Sequence, residues 1–392
     1  MVLAFDEAEG RRLIDRACEL RPLLAATTAQ SEADGKLVPE VVAAITDAGF
    51  LKLAVPRRWD GLAASCNTIA NLTAELAKSC PSTAWLTSVM NTAVWRHTLL
   101  SDASQEDMFS SSVPLFCGVG VPQMAKPVEG GFVIEKGSWS YASGCHHADF
   151  FHGTILIEGG GPPRLAIIPV DELDIVRTWD VTGMRGTGSD TVVATNIFVP
   201  QGRAPLSEPQ FEASPTRTRH VGEVTDYWTV MPYIRTKILG TLLGTVEGVL
   251  DHVIASVDRP IVYTEFKRKG DSHVFDAQVG RAGAKAYAVR SVMNMMTTEI
   301  DRAALAMKPM RRAERARSRG QLAFCVDQLT DAMTILANAA GSSMFLKEKG
   351  VERLWRDFNV ASRHAMLGPD VGYEIAGRSI LGEPDIAKPE FV

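Results

Sequence analysis

The chain has 392 residues, 46% hydrophobic and 22% charged, with 41 Lys and Arg against 46 Asp and Glu for a formal net charge of −5. That length suits two or three domains around a sizeable core, and the mildly acidic balance gives no global field for nucleic acid or anionic lipid. Asp6, Glu7 and Glu9 stand where a secretory signal has its basic start, no stretch approaches the ~20 apolar residues of a membrane span, and the six cysteines form no CxxC pair, so the expectation is a cytoplasmic protein with free thiols and a small ligand.

Residues 1–110 read as a helical domain. Leu13, Ala17, Leu20, Leu23 and Leu24, then Val41, Val42, Ile45 and Phe50, recur at three- and four-residue steps. Residues 68–77 continue the period, and Pro81-Ser82 opens a further helix carrying Trp85, Val89 and Trp95. Over 111–215 the texture changes. Short β-rich runs at 131–135, 154–157, 165–168 and 191–194, set among frequent Gly and Pro, predict a small antiparallel β-barrel. Residues 201–215, with three prolines, predict a linker. From 216 to 392 long helical periods at 233–257, 276–304 and 320–347 predict a four-helix bundle. The second is rich in Ala and Met (Ala282, Ala284, Ala286, Ala288, Met293, Met295, Met296), which suits close helix approach and subunit contacts.

The common nucleotide and hydrolase signatures fail. Gly118-Val-Gly120-Val-Pro122-Gln123 lacks a third glycine and carries proline where a helix should open, and there is no GxxxxGK[ST], GxSxG or HExxH. In Cys145-His146-His147-Ala-Asp149-Phe-Phe-His152, a period of two places His147 and Asp149 on one face and His146 and His152 on the other, so three metal ligands do not converge.

Three other segments carry more. Gly137-Ser-Trp139-Ser-Tyr141-Ala-Ser143-Gly144 is the first, and Trp179-Asp-Val-Thr-Gly-Met-Arg-Gly-Thr-Gly-Ser189-Asp190, followed by 196–200 ending in Val-Pro, is the second. The third runs through Ala340-Gly341-Ser342-Ser343, Leu354-Trp-Arg-Asp357, His364 and 377–382. In this order they resemble the flavin-binding turn, the closing hairpin and the C-terminal region of the acyl-CoA dehydrogenase superfamily. The resemblance implies that fold: an N-terminal α-helical domain, a central β-barrel domain and a C-terminal four-helix bundle. By position it also implies an aromatic, Tyr141, near the isoalloxazine and the Ser143 hydroxyl near N5 or O4, with Trp139 and Gly144 in the same turn. Arg259, Arg268, Gln278, Gly341 and Ser342 are the expected contacts for the rest of the flavin.

The departures narrow the chemistry. Where the dehydrogenases carry a carboxylate base, this chain has Arg363, His364, Ala365 and Met366, and the acyl-CoA loop is replaced by 118–125. What remains resembles the oxygenase component of two-component flavin-dependent monooxygenases that hydroxylate phenols, steroid-derived phenols or indoles. That resemblance implies reduced flavin (FADH2 or FMNH2) from a separate flavin reductase, O2 adding at C4a, and transfer of its distal oxygen to an electron-rich carbon of a small aromatic substrate. His364 is then the candidate base, His97 a second polar contact, and one of His146 or His147, with Asp357, lines the pocket. A plainer reading makes His364 a helix-end residue answering the dipole. A homotetramer built through the third domain is implied as well. Three rivals stay open: an amino-sugar N-oxygenase, an acyl-CoA dehydrogenase with a base such as Glu247, and a flavin-binding scaffold without catalysis.

Overall fold

A computed structural model of the chain describes residues 4–207, 217–347 and 350–383. The N-terminal helices are α1 (Glu7–Asp34), α2 (Pro39–Asp47), α3 (Cys66–Ala77), α4 (Pro81–His97) and α5 (Asp102–Phe109). Their ends follow local chemistry. Asp6 caps α1 by accepting from the Glu9 amide at 2.9 Å, and Gly35 closes it at φ 63°. Pro81 opens α4 at a first-turn position, where no amide is needed. α4 is buried on nearly every side, because it runs between the other helices and the sheet.

Six strands follow: β1 (Phe116–Val128), β2 (Gly131–Trp139), β3 (Phe150–Ile157), β4 (Arg164–Pro169), β5 (Asp174–Val176) and β6 (Thr191–Pro200). They form one sheet in the order β4-β3-β1-β2-β6-β5. β1 and β3 pair in parallel and the other neighbours are antiparallel. The expected closed antiparallel barrel is therefore corrected: no ladder joins β4 to β5 among the described residues, and the sheet is open. The four predicted runs fall in β2, β3, β4 and β6, whereas β1 escaped prediction because Gly118, Gly120 and Pro122 interrupt its period; the register shifts between Val119 and Gln123. The expected linker begins with a short 3-10 turn at Gln201–Arg203, and its later part, from 208, lies outside the described residues.

The long C-terminal helices are α6 (Val230–Ile254), α7 (His273–Leu305) and α8 (Arg312–Ala340), followed by α9 (Val351–Ala361) and α10 (Pro369–Ile380). α6 does more than serve a bundle. A Cβ added at Gly240 or Gly244 would lie 2.1 or 1.9 Å from the carbonyl oxygens of Ala70 and Ala74, so the glycines let α6 lie backbone against backbone on α3. The helices before and after the sheet consequently share one apolar core, while Ile134, Trp139, Phe151, Ile155 and Val192 belong to a separate core of the sheet. The Ala/Met-rich helix uses one face for this purpose: Ala282, Ala286, Met293 and Met296 are buried, while Met295 is 42% exposed. No helix among the described residues is long and apolar enough to cross a membrane.

Candidate active site

A cavity of about 490 Å³ opens between α4, α6, β1, β3, the turn at Tyr141–Ser143 and the segment His364–Met366. Trp85, Val89, Thr92 and Arg96 face it from α4, at the three- and four-residue intervals of one helix face. α6 contributes Met231, Ile234, Lys237 and Ile238. The walls are thus mostly apolar, and no Asp or Glu lines the cavity among the described residues.

Two of the expected residues stand at this cavity from the β side. Tyr141 sits at φ 66° and is 72% exposed, its ring edge-on to Trp179 at 5.6 Å. Ser143 Oγ is 2.7 Å from Ser189 Oγ, which is 2.7 Å from Thr187 Oγ1. This hydroxyl chain fixes Ser143 against the turn 183–190. The turn is itself strained, with Met184 at φ 58°, and the Asp357 carboxylate holds it by accepting from the Met184 amide.

His364 reaches the cavity from the segment after α9, its ring edge-on to Trp85 at 5.3 Å. The residue as a whole is exposed, but its ring lies against the cavity wall, and desolvation there pulls its pKa below the ordinary histidine value. The Met366 amide donates to Nδ1 over a long 3.3 Å. In the neutral ring that leaves Nδ1 as the basic nitrogen, with a weak partner that a substrate hydroxyl can replace.

The other expected residues lie elsewhere. Trp139 is fully buried in the sheet core, its indole donating to the Val121 carbonyl at 3.0 Å, and does not border the cavity. Gly144, at φ 82°, packs beside Met90 and Leu86 and supports the turn. His97 donates from Nδ1 to the Ala93 carbonyl at 2.8 Å and stacks on Phe116 at 3.9 Å, one layer behind the wall. Burial drives its pKa down to about 3, so it stays neutral. His146 bonds to Asp190 at 2.7 Å, and His147, whose pKa burial lowers to about 4, is turned away; neither lines the cavity. Asp357 is bound up with Met184 rather than with the cavity, and burial raises its carboxyl to about 7. Arg259 and Arg268 are on the surface, the latter paired with Asp258 at 2.6 Å; Gln278 lies on α7, and Gly341 and Ser342 are exposed after α8, with the Gly341 amide already bonded to Ala337. Glu247 is paired with Arg290 at 2.5 Å and Lys78 at 3.4 Å, away from the cavity.

Three cavity residues escaped the sequence reading. Arg96 Nη1 donates to His152 Nε2 at 3.2 Å, burial lowering the arginine pKa to about 10 and the histidine's well below its usual value. A Cβ at Gly118 would stand 2.2 Å from that imidazole, so the strand glycine makes room for the ring. Lys237 is the third. The available signal was spacing: Arg96 continues the face of Trp85 and Val89, and Lys237 interrupts an otherwise apolar face of α6.

Residues 14–107 match the model for the acyl-CoA dehydrogenase N-terminal domain and residues 238–369 that for the acyl-CoA dehydrogenase C-terminal domain. With both helical parts matched in order, the chain belongs to the acyl-CoA dehydrogenase superfamily. It is 28% identical over 375 residues to the flavin-dependent monooxygenase oxygenase subunit HsaA of Mycobacterium tuberculosis, covering 91% of this chain and 92% of that one. It is 26% identical over 381 residues to a pigment production hydroxylase of Rhodococcus sp., covering 95% and 97%. The solved structure of XiaF from Streptomyces sp. in complex with FADH2 and glycerol superposes with a TM-score of 0.89 at 25% identity, over 96% of each chain.

Proposed function

We propose that this chain is the oxygenase component of a two-component flavin-dependent monooxygenase that hydroxylates a phenolic or indole-like ring with reduced flavin from a separate reductase. The observation that carries the reading is the cavity itself: an apolar slot with an exposed aromatic, Tyr141, and the Ser143 hydroxyl on one side, and an imidazole, His364, where a dehydrogenase has its carboxylate. A flat heteroaromatic cofactor fits these residues. Beside Tyr141, β1 offers bare backbone at Gly120, where a Cβ would meet nothing within 4 Å, and Ser143 would hold a polar ring atom. Bound reduced flavin supplies the activation of O2. The chain's own residues do the rest. Trp85, Val89, Ile234 and Ile238 exclude water and orient the substrate ring, and His364 Nδ1 accepts the proton of the substrate hydroxyl or indole N–H.

The absence of a carboxylate from the described lining, and the engagement of Glu247 in ion pairs, weigh against the dehydrogenase reading. The apolar walls weigh against an amino sugar. The purified protein is therefore expected to be nearly colourless and unable to oxidise NADH by itself, and to hydroxylate phenols or indoles once a generic flavin reductase is added. Tightly held oxidised flavin together with intrinsic NADH turnover would contradict this.

The division at 1–110, 111–215 and 216–392 is part of the same reading, as is the fourth helix of the bundle, for which α10 against α8 is the candidate. Exposed Met295, Phe324, Tyr373 and Ile380 on α7, α8 and α10 support a homotetramer assembled there. Light scattering at micromolar concentration should give four times the chain mass, and a monomer would refute the assembly. Cysteines that are all unpaired suit a reducing compartment, the cytoplasm.

A further inference from the structure

The proposed oxygenation accounts for Ser143, Tyr141 and His364 but leaves a charge unused. Lys237 lies on α6 with its side chain wholly buried, and it borders the cavity between Ile234 and Ile238. Its Nζ reaches across to α4, donating to the Ser88 carbonyl and to Ser88 Oγ at 3.0 Å, and stands 5.7 Å from the centre of the Tyr233 ring. No carboxylate comes within ion-pair distance among the described residues, although burial of an unpaired ammonium is costly. A lysine needed only to tie two helices together could be replaced by a neutral donor at lower cost. An ammonium has three N–H donors, and the two Ser88 acceptors occupy two of them. Among the described residues the rest of the lining offers no negative charge: it is apolar apart from Arg96, the imidazoles of His152 and His364, and the hydroxyls of Thr92, Tyr141, Ser143, Thr154 and Ser207.

Resting on the monooxygenase reading, we infer that the substrate carries a second oxygen substituent, anionic when bound, and that Lys237 receives it at the α4–α6 end of the cavity while the reacting hydroxyl or N–H lies at His364. Lys237 is thus a specificity-determining residue that selects aromatic rings bearing a carboxylate or a further ionisable hydroxyl over singly substituted ones. Burial lowers the lysine pKa to about 7, and an incoming anion favours the charged form by supplying the missing counter-charge. The Ser88 contacts keep the Nζ aimed before the substrate arrives.

The test uses matched probes turned over with a generic flavin reductase. One pair is 4-hydroxyphenylacetate against 4-ethylphenol, which distinguishes a carboxylate; the other is resorcinol against phenol, which distinguishes a second hydroxyl. In one of the pairs the wild type should favour the oxygen-bearing member in kcat/KM. Lys237→Met should abolish that preference, with loss of a charged hydrogen bond weakening the favoured member ~10–100-fold, mostly in KM. Its neutral partner should change little, and Lys237→Arg should recover part of the preference. Equal losses for both members of a pair, or no preference in the wild type, would reduce Lys237 to a helix tie and overturn the inference. A second measurement compares binding alone in the wild type and Lys237→Met: bound 4-nitrophenol should show its phenolate absorption band in the wild type at a pH where the free probe is largely protonated, and should lose most of it in the variant while His364 is intact. Ionisation unchanged from free solution in the wild type, or a band kept in the variant, would also overturn the inference. Failure to hydroxylate any probe would sink the monooxygenase reading instead, leaving the 4-nitrophenol spectrum to decide on Lys237.

Discussion

His364→Ala is expected to lower coupled hydroxylation by ~10²-fold or more, with hydrogen peroxide released in place of product, while binding of reduced flavin and its consumption by O2 persist. The two halves of the result separate because different residues serve them. Ser143 and Tyr141 sit on the β side of the cavity, whereas His364 approaches from beyond α9 against Trp85. Burial lowers the His364 pKa, so the ring is neutral and able to accept a proton from about pH 6.5, the ordinary histidine value, upward. The variant's deficit should therefore persist across neutral and alkaline pH. Peroxide yield and product yield, measured together in a reductase-coupled assay, check this. Full coupling in His364→Ala would leave His364 as a residue packed on Trp85 and remove it from the chemistry.

The second large effect belongs to a residue outside the cavity. Asp357→Ala should destabilise the protein by ~1–3 kcal/mol, the cost of leaving a buried amide without a partner, and should also disturb Ser143. Asp357 accepts from Met184 at its left-handed φ, and neighbouring Gly183 tolerates no Cβ, which would stand 2.4 Å from the Arg356 carbonyl oxygen. Loss of the carboxylate loosens the turn that positions Thr187 and Ser189, and through them Ser143. The pH dependence has a definite sign. Burial raises the folded carboxyl to about 7, so the folded state holds the proton more tightly than the unfolded chain. That stabilisation is complete below about pH 4 and is lost as pH rises through about 7. Asp357→Asn, which keeps an acceptor and cannot ionise, should flatten that part of the stability curve. Denaturant titrations at several pH values measure both effects, and an unchanged slope would show that Asp357 does not titrate in that window.

What could be seen in the sequence was whatever is local. Helix periods, the Pro81 start and the two glycine-rich turns depend on neighbours in the chain, and they led to the family and to Tyr141, Ser143 and His364 at the cavity. What could not be seen depends on partners distant in the chain. β1 has no clear alternation, because its form is set by parallel pairing with β3 some thirty residues later. Trp139 and His146 have the side chains of a binding site, but Val121 and Asp190 draw them into the fold. Asp357 was misassigned for the same reason: Met184, far behind it in sequence, is what it serves. No local motif marks Arg96 or Lys237, polar residues on apolar helix faces, and the histidine run that suggests His152 as a metal ligand gives no sign of the cavity it borders. Only the meeting of α4, α6 and β3 makes them neighbours.

The central claim, that this cavity transfers an oxygen atom from O2 to an aromatic ring, is tested most directly by isotope labelling. The purified protein, a generic flavin reductase, NADH and a phenol or indole are incubated under ¹⁸O-labelled dioxygen, and the product mass is read. One labelled oxygen in a hydroxylated aromatic product, absent when the protein is omitted, is the predicted result. A product oxygen derived from water, or consumption of reduced flavin that yields only hydrogen peroxide with every ring offered, would contradict the account.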